Sequence, residues 1–210
     1  MGTASASVEH MFVQPSLLDA GSPSFDGSFS GLLRDPIDEW CWLDHQPAWL
    51  SGSDVVFDEL VERLSWERPE VHMYDRALEQ PRSTAGFAIG ERFDFPYIDA
   101  MAAALGEHYG VTFRSVWCNL YCDGHDSVAW HGDRVLRDRS DGLVVIVSVG
   151  HRRRFLIKPA AGGPSRTFEL GRGDLFVMGG DCQRRWRHCV PKVAPASLVG
   201  PRISITMRPA

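Results

Sequence analysis

The chain changes texture at Gly110. Before it, two stretches carry apolar residues at helical spacing, and after it short apolar runs follow one another, each closed by Gly, Pro or Asp. In residues 54–65, Phe57, Leu60, Val61 and Leu64 recur at intervals of three and four, which puts them on one helix face. Ser51, three residues ahead of Asp54, reads as a capping box at its start. In residues 96–109, Ile98, Met101, Leu105 and Tyr109 make a second stripe that Gly110 stops. Between residues 36 and 50, Trp40, Trp42 and Trp49 mark a segment expected to pack on the main body.

Beyond Gly110 the runs 111–121, 127–131, 143–149, 154–158, 166–170, 174–178, 185–190 and 202–208 read as short strands. Strands of this number and spacing predict a mainly β, α+β fold, a sandwich or jelly roll with N-terminal helices over one side of a sheet. The run from Leu143 to Val147 is apolar at every position, so that strand is expected to be buried on both faces. In the last run, Ile203, Ile205 and Met207 alternate with Arg202, Ser204, Thr206 and Arg208, so the two sets point to opposite faces. This suits a solvated edge strand, or a strand that offers its polar face to a ligand.

With 210 residues, 44% of them hydrophobic, the chain has material for one well-filled domain. Residues 1–35 are rich in Ser, Gly and Ala and are expected to form a disordered or loosely packed tail. Residues 36–110 are expected to supply helical support in one domain with a strand-rich core at 111–210. The start has neither a signal-peptide pattern nor the hydroxyl residue that myristoylation wants at the sixth position, and no run has the length to span a bilayer. No membrane attachment is expected, and a monomer is. The five cysteines are odd in number and contain no C-x-x-C pair, which argues against zinc and for a reduced, cytoplasmic protein. Cys189, beside His188 on a predicted strand, points away from it and is read as structural.

Candidate chemistry centres on Trp130-His131-Gly132-Asp133. On an extended strand His131 and Asp133 point to one side, so an imidazole and a carboxylate can share a cation. His188, set in Trp186-Arg187-His188-Cys189-Val190, is the candidate third ligand. Two histidines and one carboxylate on one face of a metal leave positions open for a bidentate cosubstrate and dioxygen, as in non-haem Fe(II) sites. Taken alone, an H-x-D pair is as readily a hydrogen-bonded histidine and a surface acid. Arg202 and Arg208 add what a dicarboxylate needs, because guanidinium binds carboxylate in bidentate fashion. Six residues of strand span roughly 20 Å, so both arginines reach one small molecule only by leaning inward or through a bend.

The ordered motifs Asn119-Leu120-Tyr121, Asp123 to Asp133, Val147 to Gly150 with Arg154-Phe155, Gly173 to Gly180, Trp186-Arg187-His188 and Pro201 to Arg208 together resemble the AlkB family of Fe(II) and 2-oxoglutarate dependent dioxygenases. The resemblance covers residues 65–210, and it implies a catalytic core at 111–210 with a nucleotide-recognition lid in the segment after Pro81-Arg82, within 36–110. It implies a double-stranded β-helix with His131, Asp133 and His188 on the iron. It also implies that Asn119, Tyr121, Arg202, Ser204 and Arg208 contact 2-oxoglutarate, with dioxygen as the other cosubstrate. Ser204 stands where the family often has asparagine, and a hydroxyl reaches less far. The implied reaction oxidises an N-methyl group of a DNA or RNA base, which then leaves as formaldehyde while 2-oxoglutarate becomes succinate and carbon dioxide.

Charge sharpens this picture. The net charge is −5, yet residues 112–210 carry 16 Lys and Arg against 8 Asp and Glu, leaving 6 against 19 in the first 111. Arg134, Arg137, Arg152, Arg153 and Arg185 fall in segments expected to ring the site, where they read as solvated loop charges or as a phosphate-tracking surface for alkylated DNA or RNA. A base reached by such an enzyme leaves its stack for a pocket with aromatic walls. Phe87 is the first candidate for that wall, with core packing its equal alternative, and Met73 and Tyr74 follow. Relatives of this kind often have an aromatic where Gly86 stands. Three other readings remain: the same oxygenase chemistry on a protein or small metabolite, a nucleic-acid-binding jelly-roll module without turnover, and a zinc-type hydrolase on the same His and Asp, disfavoured because it gives Arg202 and Arg208 no task.

Overall fold

The structure is a computed structural model and describes residues 21–73, 76–90, 95–133, 136 and 142–210. Its strands are β1 Ser24–Phe25, β2 Leu33–Pro36, β3 Cys41–Gln46, β4 Leu50–Ser51, β5 Glu70–Met73, β6 Arg76–Glu79, β7 Ser83–Ala88, β8 Phe113–Tyr121, β9 Val128–His131, β10 Val144–Gly150, β11 Arg153–Pro159, β12 Arg166–Leu170, β13 Asp174–Gly180, β14 Trp186–Val190 and β15 Arg202–Pro209. Its helices are α1 Ser53–Arg63, α2 Pro96–Tyr109 and the single turn α3 Cys182–Arg185. Seven strands form a major sheet in the order β2-β3-β13-β10-β15-β8-β7, and four form a minor sheet in the order β12-β11-β14-β9. All pairings are antiparallel. This is the expected jelly roll, two facing sheets with helices against the outer face of the larger one.

Alternation builds two cores on the two faces of the major sheet. Val145, Val147 and Val149 of β10 join Ile203, Ile205 and Met207 of β15 and Val116, Cys118 and Leu120 of β8 in a cluster closed by Phe57 and Leu60 of α1 and Ile98, Met101 and Leu105 of α2. Val144 and Ile146 of the same β10 enter the second cluster, between the sheets, with Phe155, Ile157 and Phe176. So β10 is buried on both faces as its apolar run predicts, and β15 lies between β10 and β8 rather than at an edge. Arg202, Ser204 and Thr206 of its polar face are buried, and only Arg208 keeps partial exposure.

Several expectations need correction. Residues 24–25 and 33–36 are strands, with Phe25 and Phe29 packed on Trp49, so ordered structure begins well inside the stretch read as a tail. A few residues suffice because β2 borrows the β3 edge of the major sheet, while β1 and β4 form a two-stranded sheet fastened by Phe25 on Trp49. Residues 1–20 lie outside the described residues. The segment 36–50 is more than a packed coil, because β3 is a strand of the major sheet; its Trp49 is buried but Trp40 is exposed. The lid region contributes β7 to the major sheet and a β5–β6 hairpin, both missed because their sequences lack the apolar density of later strands. α1 starts one residue earlier than predicted, and Gly52, at φ 69°, takes the N-cap position with no side-chain cap bond, so Ser51 does not cap it. α2 spans the predicted residues and ends at Gly110 in the left-handed region. No helix among the described residues is long and apolar enough to cross a membrane.

Candidate metal and cosubstrate site

The site grows from three pairings. In the minor sheet His188 of β14 stands opposite His131 of β9, with ring centroids 4.2 Å apart. In the major sheet Arg202 pairs with Tyr121 and Ser204 with Asn119, while Ser148 of β10 flanks Ser204 on the other side. Because partners in register share a face, the even-numbered positions of β15 and Trp117, Asn119 and Tyr121 of β8 all look into the space between the sheets. There they wall a cavity of about 190 Å³ with His131, Asp133 and His188. Both arginines reach it, and the register of β15 against β8 shifts just beyond Met207, next to Arg208.

Ligand atoms of His131, Asp133 and His188 lie within 4.8 Å of one another. Each is oriented by a second contact. Nδ1 of His131 bonds the Ala129 carbonyl at 2.8 Å, which leaves Nε2 for the cavity. Asp133 receives a hydrogen bond from Arg208 Nε on Oδ2 at 2.7 Å, and its backbone N–H donates to Gln183 Oε1 at 3.0 Å. Burial pushes the Asp133 carboxyl up, but the Arg208 hydrogen bond and charge, with the two histidines, hold it below its ordinary value. His188, stacked on Phe155, is pushed down to about 3 by burial and by His131. Metal binding needs a neutral imidazole and an ionised carboxylate, and the shifts of His188 and Asp133 both run in that direction. Gly132 between the two ligands is obligatory, because a Cβ there would run into the Gln183 carbonyl of α3.

Arg202 is fully buried. Its Nη2 donates to Ser148 Oγ at 2.6 Å, its Nε has no partner, and its guanidinium lies 5.5 Å from the Tyr121 ring centroid. Burial pushes it down to about 10. A buried cation with one hydroxyl partner is a poor stopping point for a fold, and a carboxylate supplied from the cavity would complete it. Asn119 accepts from Arg82 Nε through Oδ1 at 2.9 Å, so its amide N–H groups are free to donate. Ser204 Oγ lies 3.1 Å from Thr206 Oγ1, a local pair beside the cavity. The donor set therefore fits a divalent iron, and the buried arginine with its neighbours fits a dicarboxylate.

Other predicted residues fall elsewhere. Arg153 is buried and donates to the carbonyls of Asp123, Asp126 and Pro191, so it pins the 123–127 loop instead of meeting a phosphate. Phe87 sits one residue past Gly86 and so on the opposite face of β7, packed on Phe95 and the helix-side core; the packing alternative holds. Arg152 faces buried Asp174 at 3.6 Å, and Arg185 donates to Asp181 and covers Trp40, so both are half-exposed members of ion pairs outside the cavity wall. Arg134, Arg137 and Tyr74 lie outside the described residues, as does the side chain of Met73. All five cysteines are free thiols, and burial raises Cys189. Sequence reasoning missed Arg82, Trp117, Ser148 and Gln183. Trp117 was within reach, being two residues before Asn119 on the same strand; the others, Arg82 in the bend before β7, Ser148 on β10 and Gln183 on α3, meet site residues only across segments far apart in the chain.

Residues 54–208 match the model of the 2OG-Fe(II) oxygenase superfamily, so the chain belongs to that family. Fe(II), 2-oxoglutarate and dioxygen are the metal and cosubstrates of the class, and His131, Asp133 and His188 are the metal cluster of this member. The resemblance to the AlkB family is borne out by curated relatives. The chain is 29% identical over 206 residues to the DNA oxidative demethylase ALKBH2 of Arabidopsis thaliana, covering 80% of this chain and 63% of that one. It is 28% identical over 184 residues to the alpha-ketoglutarate-dependent dioxygenase alkB homolog 3 of Bos taurus, covering 76% of this chain and 62% of that one. The chain thus spans under two thirds of the length of these relatives. Its fold is that of the solved structure of OsALKBH1, with a TM-score of 0.59 at 12% identity over 85% of this chain and all of that one.

Proposed function

We propose that this chain is an Fe(II) and 2-oxoglutarate dependent dioxygenase that demethylates N-alkylated bases in DNA or RNA, releasing formaldehyde, succinate and carbon dioxide. The observation that carries the reading is the shared cavity: a His-Asp-His cluster beside a buried arginine that has one hydroxyl partner. The likeness to a relative named for DNA oxidative demethylation supports the choice of substrate. His131, Asp133 and His188 would hold the iron, which with 2-oxoglutarate and dioxygen supplies the oxidising power. Arg202 takes the distal carboxylate of 2-oxoglutarate while the Tyr121 ring beneath it keeps water away. Asn119, its amide turned by Arg82, donates to the cosubstrate. Ser204, shorter than asparagine and engaged with Thr206, shapes the wall beside it. Arg208 holds the free rotation of Asp133 in check and lends charge to the keto-acid end. Arg152 and Arg185 keep enough exposure to meet phosphates at the rim. A monomer in a reducing, cytoplasmic setting completes the reading.

The test is anaerobic loading with Fe(II) and 2-oxoglutarate, then oxygen in the presence of an oligonucleotide carrying 1-methyladenine or 3-methylcytosine. Formaldehyde is expected in step with succinate, and both are expected to be lost in His131→Ala. Succinate without formaldehyde would turn the reading toward a protein or metabolite substrate, and neither product would leave a binding module.

A further inference from the structure

We propose that Trp117 is the platform on which the substrate base stacks, a role that rests on the nucleic-acid reading above and that the sequence had left with Phe87. Trp117 lies on the inward face of β8 and walls the cavity that holds His131 and Asp133. Yet its side of the cavity is open, and the residue is 46% exposed. The other two exposed tryptophans each have a cation over the ring, Lys158 at 4.3 Å from the centroid of Trp130 and Arg185 at 5.4 Å from that of Trp40. Among the described residues Trp117 has no such cover. A large apolar ring left bare at the lip of a polar cavity is the mark of a ligand surface.

The neighbouring strand is shaped to the ring. Gly86 of β7 is its partner in register, and a Cβ at Gly86 would stand 2.5 Å from Cε3 and 2.7 Å from Cζ3 of Trp117. The indole therefore lies across the bare backbone of β7, which holds it in the sheet. Any side chain at position 86 would lift it. A glycine inside a strand weakens the strand, so its presence here goes with the ring it admits. The platform is consequently built from two paired strands of the major sheet, β8 for the ring and β7 for the backbone beneath it. An indole face offers no hydrogen-bond pattern, so it reads the flat π surface of a ring and leaves discrimination between bases to groups deeper in the cavity.

The test measures binding without turnover. Full-length protein is loaded with Mn(II) and 2-oxoglutarate, and its affinity for a labelled single strand is read by anisotropy. One strand carries 1-methyladenine and a second carries an abasic site at the same position. Trp117→Leu should bind the methylated strand roughly tenfold or more weakly, the range of one lost base stack. Trp117→Phe should retain most of the affinity, and Gly86→Ala, which keeps the indole but displaces it, should lose nearly as much as the leucine variant. With the abasic strand, wild type and Trp117→Leu should bind alike, since the ring then has nothing to stack on; a merely structural role would weaken both strands equally. Equal binding of the methylated strand by wild type and Trp117→Leu would overturn the platform and leave the demethylase reading standing. Failure of the wild type to prefer the methylated strand over the abasic one would remove the nucleobase reading, and the platform with it.

Discussion

Arg153 and Arg202 are each about 1% exposed, and each stands over the Tyr121 ring, at 5.7 Å and 5.5 Å from its centroid. They begin neighbouring layers of one barrel, Arg153 opening β11 and Arg202 opening β15. What separates them is how the protein answers the charge. Arg153 has three backbone carbonyls on its two Nη atoms, whereas Arg202 has one serine hydroxyl. Burial lowers the pKa of both, so both represent a cost of removing a cation from water. At Arg153 the carbonyls of the 123–127 loop and of Pro191 offset that cost within the fold. At Arg202 the offset is left to a ligand. Burial by itself says little about whether an arginine is structural or functional; the tally of acceptors around it does.

Replacing the two residues in turn should pull stability and binding apart. Arg153→Met leaves three carbonyls with no donor where the loop packs, and is expected to cost about 3–5 kcal/mol, read as a lowered denaturant midpoint. Equal stability in that variant would mean that water replaces the guanidinium and that the loop is not pinned. Arg202→Met should change stability far less, because it removes a poorly compensated charge, yet weaken 2-oxoglutarate binding by at least about 2 kcal/mol, roughly thirtyfold, in calorimetry. If Arg202→Met unfolds the protein as readily as Arg153→Met, the contrast fails. The smallest effect is expected at Ser148→Ala, which removes the one hydroxyl on Arg202. It should shift cosubstrate affinity by about 1 kcal/mol and leave the unfolding midpoint nearly in place.

A second lesson lies in the two faces of β8 and β15. Ile203, Ile205 and Met207 declare themselves apolar, and their alternation with Arg202, Ser204, Thr206 and Arg208 already separates core from cavity on paper. The metal cluster was equally legible, since His131 and Asp133 lie two apart, at and just past the end of β9, and His188 falls on another strand of the same texture. The lid was not. Ser83 to Ala88 joins the major sheet through small residues such as Ala85 and Gly86, whose strand character comes from pairing with β8 and not from their own propensity. Phe87 drew the eye as an aromatic, but its parity puts it on the helix side.

The sequence alone determined the periodicities: where the two long helices and the strands beyond Gly110 run, which residues share a face, and that a His-Asp-His set with two arginines stands along the last hundred residues. Those follow from local geometry, because side-chain direction repeats every two or 3.6 residues whatever the chain does later. The tertiary structure decided what lies opposite what. It set Ser148 against Arg202, Arg82 against Asn119, Gln183 against Asp133 and Gly86 beneath Trp117, in each case across a pairing between segments far apart in the chain. Strand order and register are chosen by the packing of two cores at once, and no local pattern encodes that choice. The roles of Arg153 and Trp117 hang on it, since one became a loop anchor and the other a bare ring at the cavity mouth only when β7, β8, β11 and β15 met.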